Sequence, residues 1–179
     1  MITLRGFEGR HVAVFGLARS GLAAARALIA CGAEVAVWDD NAAARATAAA
    51  EGLPVVDLKA ADWSGFDSLV LSPGVPLTYP QPHWTVAQAH AWGVEIIGDV
   101  ELFARTVNAL PVHDRPRIVA ITGTNGKSTT TALIGHICRA TGRETRVGGN
   151  IGYGVLGLDD IQGHSVYVLE LSSYQLDLT

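Results

Sequence analysis

Three things are scarce in this 179-residue chain: cysteine, charge and aromatic side chains. Long runs of apolar or basic residues are missing altogether. The two cysteines, Cys31 and Cys138, lie far apart and form no CxxC pair. A disulfide framework and a thiolate metal site are thereby excluded, and both cysteines read as small core residues in a reducing compartment. No segment approaches the ~20 consecutive apolar residues of a membrane span. The most apolar stretch, 22–37, is interrupted by Arg26 and Glu34, and the first residues carry Glu8 and no apolar signal core. With 13 Lys and Arg against 17 Asp and Glu, the net charge is -4. That balance, without a basic run, argues against nucleic acid and membrane surfaces as partners. The six histidines show no HxxxH or related ligand pattern. The expectation is a cytoplasmic protein that holds any phosphate ligand with backbone N–H groups and a few basic side chains.

What is abundant is apolar surface, 49% of residues, together with 20 glycines. A buried core and close helix-on-sheet packing are therefore within reach. The first half alternates between strand and helix periods. Strands are expected at 11–15, 34–38, 68–71 and 94–97, with a weak one at Val55-Val56. Helices are expected at 22–31, after Asn41 as a cap, at 85–91 and at 100–107. This alternation predicts an α/β fold with a parallel sheet covered by helices, Rossmann-like in its first domain. The stretch 108–117 (NALPVHDRPR) has two prolines and mixed charge and reads as a linker. A second unit follows, with a strand at 118–121, a loop at 122–126 and a helix at 127–141. The helix places Leu133, Ile134, Ile137 and Cys138 on one apolar face. The near-continuous apolar run 166–171 reads as a central parallel strand. The predicted division is 1–107 and 108–179. Because the second unit stops soon after its second clear core strand, the 179 residues are expected to be the front part of a longer protein.

The strongest motif is AITGTNGKSTT, residues 120–130, between a predicted strand and a predicted helix. That setting is what a phosphate-binding loop requires. Gly123 and Gly126 let backbone N–H groups approach phosphate oxygens, and the helix starting near Lys127 adds its positive dipole end. Lys127 would reach the β- and γ-phosphates and the Ser128 hydroxyl would bind Mg²⁺. The position five before Gly126 is Ile121, a departure from GxxxxGK[ST]. Glu170, near the carboxyl end of an apolar strand, is costly to bury unless paired or metal-bound, which points to the second Mg²⁺ ligand. In the first unit GLARSG, residues 16–21, lacks the middle glycine of GxGxxG, which weakens a dinucleotide reading. It is either a phosphate loop, with Arg19 and Ser20 beside the helix start, or a tight packing turn. Asp39 ends the second strand, placed to accept hydrogen bonds from a ribose or a base. Ser72-Pro73-Gly74 and Gly148-Gly-Asn-Ile-Gly152 add two more loops at predicted strand ends, where open α/β sheets bind ligands.

Taken in order, GLARSG, SPG, GDVELF, GTNGKSTTTAL, GGNIG and ELSSYQLD resemble the Mur ligases, and GDVELF with ELSSYQLD resembles the D-glutamate-adding branch. The resemblance runs from about Gly16 to Asp177. It implies an ATP-dependent acid–amino-acid ligase that joins D-glutamate to UDP-N-acetylmuramoyl-L-alanine through an acyl phosphate, acting as a monomer. It implies ATP at Gly123, Thr124, Asn125, Gly126, Lys127, Ser128 and Thr129, with Lys127 and Glu170 catalytic and Ser128 and Glu170 binding Mg²⁺. Arg19, Ser20, Asp39, Asp40, Ser72, Gly74, Asn150 and Ser172 would bind the UDP-sugar. Asp40 and Asn41 stand where the family more often has a small polar and a basic residue. The amine-binding domain would lie beyond Thr179, so the chain alone would be inactive. The alternatives are another Mur ligase or a folylpolyglutamate-type ligase, an NAD-dependent oxidoreductase, and a nucleotide-binding module without turnover.

Overall fold

Parallel pairing decides the architecture. The computed structural model describes residues 1–179. Its first unit runs β1 (His11–Phe15), α1 (Arg19–Ala30), β2 (Glu34–Trp38), α2 (Ala42–Ala50), β3 (Ser68–Leu71), α3 (Trp84–Trp92), β4 (Glu95–Ile97) and α4 (Asp99–Asn108). The second runs β5 (Arg117–Ile121), α5 (Lys127–Ala140), β6 (Thr145–Gly149), β7 (Val166–Glu170) and the short α6 (Ser173–Leu176). The sheets have orders β2-β1-β3-β4 and β5-β7-β6, all parallel. Their carboxyl ends therefore carry every loop that the sequence marks as chemical.

Side-chain alternation explains why these runs are strands. Val12 and Val14 of β1 enter one core, while Ala13 and Phe15 enter the core on the opposite face. A strand buried on both faces reads as continuous apolar sequence. The first of these cores joins the two units. It holds Val14 and Leu28 from the first, and Tyr167 and Leu169 from β7 of the second. Phe103 of α4 meets Tyr167 at 5.2 Å between ring centroids. The chain start is stitched into the same seam. Ile2, Leu4 and Phe7 are buried, Ile2 N donates to Leu156 O, and both the N–H and the hydroxyl of Thr3 donate to Asp160 at 2.9 Å.

Three expectations need correction. α1 begins at Arg19, not Leu22, because Ala18 takes an extended N-cap conformation and Arg19, Ser20 and Gly21 form the first turn. Val55-Val56 forms no strand: only one bridge, Val37 to Val55, follows Pro54. The apolar side of α5 is not uniformly buried. Gly135 faces β6 closely, with room for no Cβ beside Val147, while Leu133 and Ile137 are exposed at 55% and 51%. Ile118 on the edge strand β5 is exposed as well.

Candidate ligand site between the two sheets

Two helix starts stand apart from the others. Asn41 caps α2, His83 caps α3 and Ser172 caps α6, each by accepting a hydrogen bond from a backbone N–H. α1 and α5 have no side-chain cap and no acid in the first turn. Their first N–H groups and dipoles are left for an anionic ligand. α5 follows the 122–126 loop, where Gly123 and Gly126 adopt φ of 143° and 77°. Thr124, Asn125, Gly126, Ser128 and Thr129 lie exposed along it. The Lys127 ammonium folds back over the loop and donates to the Gly123 carbonyl at 2.7 Å.

Glu170 lies beside this loop. β5 and β7 are in register with Ile121 opposite Glu170, so the strand feeding the loop ends next to the carboxylate. Glu170 is only 2% exposed. Its Oε1 accepts from Asn150 Nδ2 at 3.1 Å, and its Oε2 is buried without a protein partner. An isolated buried carboxylate oxygen is strongly disfavoured. A divalent cation is the group whose chemistry answers it, with the Ser128 hydroxyl at the start of the neighbouring helix as a further oxygen donor. The residues present therefore fit Mg²⁺.

The uncapped end of α1 opens on a cleft of about 390 Å³ whose walls come from both units. Gly16, Arg19, Ser20, Asp39, Ser72 and Gly74 contribute from the first, and Asn150 and Gln175 from the second. Of the expected UDP-sugar residues, Asp40 and Ser172 are outside the cleft lining. The GLARSG loop proves to be a packing turn as well as a cleft wall. Gly16 has φ of 91°, a Cβ on it would sit 2.7 Å from Ser72 Cβ, and one on Gly21 would overlap the Gly16 carbonyl.

Several side chains in the expected set are held by the protein itself. Ser72 Oγ donates to Gly16 O at 2.6 Å. Asp39 accepts from Leu17 N at 2.7 Å and Asn41 N at 2.8 Å, so its carboxylate pins both loops beside it. Arg19 donates to Gly152 O at 2.8 Å, bridging the units across the cleft. Ser172 forms a capping box with Gln175. Asp40 accepts from His83 and Trp84, each at 3.1 Å, and lies 3.5 Å from the Lys59 ammonium. Burial works to raise its pKa, but the Trp84 and His83 hydrogen bonds and the Lys59 charge outweigh that and hold it below its ordinary value.

Sequence reasoning missed Arg45 and Asp99. Arg45 stacks 4.3 Å over the Trp38 ring and donates to the Asp39 and Asp40 carbonyls, which supplies a basic group where Asn41 has none. Its signal was position, one turn into α2 beside those carbonyls. Asp99 is 3% exposed beneath the cleft, 3.5 Å from Gln175 Nε2, and burial pushes its carboxyl above the ordinary value. Its only local signal was an acid inside the apolar segment GDVELF.

Comparison with known proteins agrees with this layout. The family described as Mur ligase MurD-like, N-terminal domain, matches residues 10–98, and the Mur ligase middle domain matches residues 121–179. Curated relatives called UDP-N-acetylmuramoylalanine--D-glutamate ligase are similar throughout. Those of Caulobacter vibrioides and Phenylobacterium zucineum are 73% and 72% identical over 179 residues, and that of Rhizobium meliloti 58% over 178. Each alignment takes in 99–100% of this chain and 38% of the relative's length. With two adjoining domain families matched in order across two parallel sheets, the chain belongs to the Mur ligase family.

Proposed function

We propose that these residues form the UDP-sugar and ATP sites of an ATP-dependent, cytoplasmic and monomeric ligase that adds D-glutamate to UDP-N-acetylmuramoyl-L-alanine in peptidoglycan synthesis. The units divide at about residue 107. The buried, half-partnered Glu170 beside an uncapped helix start carries the reading. A structural carboxylate has no need of a bare Oε2, whereas a magnesium nucleotide does. Gly123 to Thr129 would receive the ATP phosphates on backbone N–H groups. Lys127 would leave the Gly123 carbonyl for the γ-phosphate oxygens. Ser128 and Glu170 would hold Mg²⁺, which when bound neutralises charge on the phosphate oxygens.

The uncapped α1 start, with Arg19 and Ser20, would receive the diphosphate of the UDP-sugar. Asp39, Ser72 and Gly74 would line its nucleoside end and Asn150 its sugar end. Asp40 and Ser172 would act through the loops they hold. In the reaction, a substrate carboxylate oxygen attacks the γ-phosphorus and ADP leaves. The D-glutamate amine then attacks the acyl carbon, phosphate leaves and the nitrogen loses a proton. Lys127 stabilises charge on the transferring phosphoryl group.

The test is phosphate release by the protein in its full natural length, with ATP and each acceptor in turn. Release that requires both UDP-N-acetylmuramoyl-L-alanine and D-glutamate supports the reading; folate-dependent release overturns it. The isolated 179 residues, at 38% of the relatives' length, should bind both nucleotides and show no D-glutamate-dependent release.

A further inference from the structure

The loop 148–152 joins two places that the proposed function treats separately. On one side, Asn150 lines the cleft with Gly16, Ser20 and Ser72. On the other, its side-chain amide donates to Glu170 Oε1 and its backbone N–H donates to the Glu170 carbonyl at 2.8 Å. Gly149, at φ of 99°, lies so near that carbonyl that any Cβ would overlap it. Main-chain contacts thus pin the loop to Glu170 and keep the Asn150 amide within reach of its carboxylate. Its Oδ1 accepts from no protein group.

We infer that Asn150 is a positioning residue that makes the cation site and the cleft interdependent. Its amide holds one Glu170 oxygen, directs the other to a divalent cation, and is itself fixed for a cleft ligand. A cation that orders the Glu170 carboxylate also orders the amide bonded to it. A cleft ligand that donates to Asn150 Oδ1 then meets a group already in place. It loses less conformational freedom on binding. Donation to Oδ1 also polarises the amide and strengthens its bond to Glu170. By linkage, each ligand must tighten the other by the same factor. The inference rests on the proposed magnesium nucleotide reading, and its test separates the two.

Calorimetry would measure UDP-N-acetylmuramoyl-L-alanine binding to the full-length protein, with and without Mn²⁺ and a non-hydrolysable ATP analogue. Water proton relaxation would report Mn²⁺ affinity directly. The expected result is about fivefold or greater mutual tightening in the natural protein. Asn150→Ala should bring that factor to one and weaken Mn²⁺ about tenfold, the usual scale for losing a partner of a metal ligand. Asn150→Asp, which keeps the size and guards against a variant that fails to fold, sets a second carboxylate against Glu170 and should also abolish the mutual tightening. If Asn150→Ala weakens the UDP-sugar equally with and without cation and leaves Mn²⁺ affinity unchanged, Asn150 is only a cleft contact and the inference is wrong. If the natural protein binds no UDP-sugar, the proposed function fails, while the Mn²⁺ arm still judges the Asn150–Glu170 link.

Discussion

At the scale of single residues, the site depends on a few atoms whose surroundings are fixed. Lys127 donates to the loop it would leave on nucleotide binding. Lys127→Ala should lower kcat by about a hundredfold or more, the usual loss for one preorganised donor to a developing anion. Steady-state phosphate release checks this. Tyr167 offers a test independent of function. It is fully buried, and its hydroxyl donates to the Asp159 and Asp160 carbonyls at 2.7 and 3.0 Å. Burial raises its pKa from 10.0 to about 12. An acid whose folded pKa is raised keeps its proton while the unfolded chain loses it. Stability is therefore unaffected below pH 10 and falls progressively as pH rises from about 10 to about 12, by roughly 2–3 kcal/mol. Urea denaturation across that range should show the loss, and Tyr167→Phe should abolish this slope while costing about 1 kcal/mol at neutral pH for the lost hydrogen bonds.

At the scale of elements, a side-chain cap or an acidic first turn marks the helices that hold the fold, and α1 and α5 have neither. Asn41 Oδ1 accepts from Ala43 N at 2.9 Å at the start of the alanine-rich α2. Asn41→Ala should cost about 1 kcal/mol in chemical denaturation. It should leave ATP affinity unchanged, because α2 contributes nothing to the loop at 122–126. β1, β2 and β3 have the bounds that the sequence suggests, since an apolar strand run flanked by charge or glycine has few other readings. The start of α1 is not legible in local periodicity, because Arg19, Ser20 and Gly21 carry no apolar period and yet form its first turn. The glycines of GLARSG answer to packing against Ser72 and the Gly16 carbonyl, a contact 51 or more residues away in part and invisible to local period. The loops that meet at the cleft were legible in the sequence because each follows a strand. Their partners were not. Asp40 meets His83 43 positions later, and Asp99 meets Gln175 76 positions later. No hydrophobic period encodes such pairings.

At the scale of the whole molecule, the two sheets share one core, and the cleft exists only while they do. The chain start is part of that seam, with Ile2 wholly buried and bonded to Leu156 of the other unit. Residues 1–107 and 108–179 should therefore unfold together, in one cooperative transition of the 179-residue segment by calorimetry. Ile2→Ala should cost about 2–5 kcal/mol, as for other large-to-small core changes. It should also weaken binding in the cleft, although it lies outside the lining. Two separate transitions in the 179-residue segment would show that the units are independent.

The bare border of β5, flanked by Ile118 and the outward Leu133 and Ile137, also governs how the isolated 179-residue polypeptide behaves in a tube. Unpaired strand borders with greasy neighbours zip onto their own kind. The apparent mass of the purified segment from light scattering should climb with concentration, and Ile118→Lys should hold it at the monomer value.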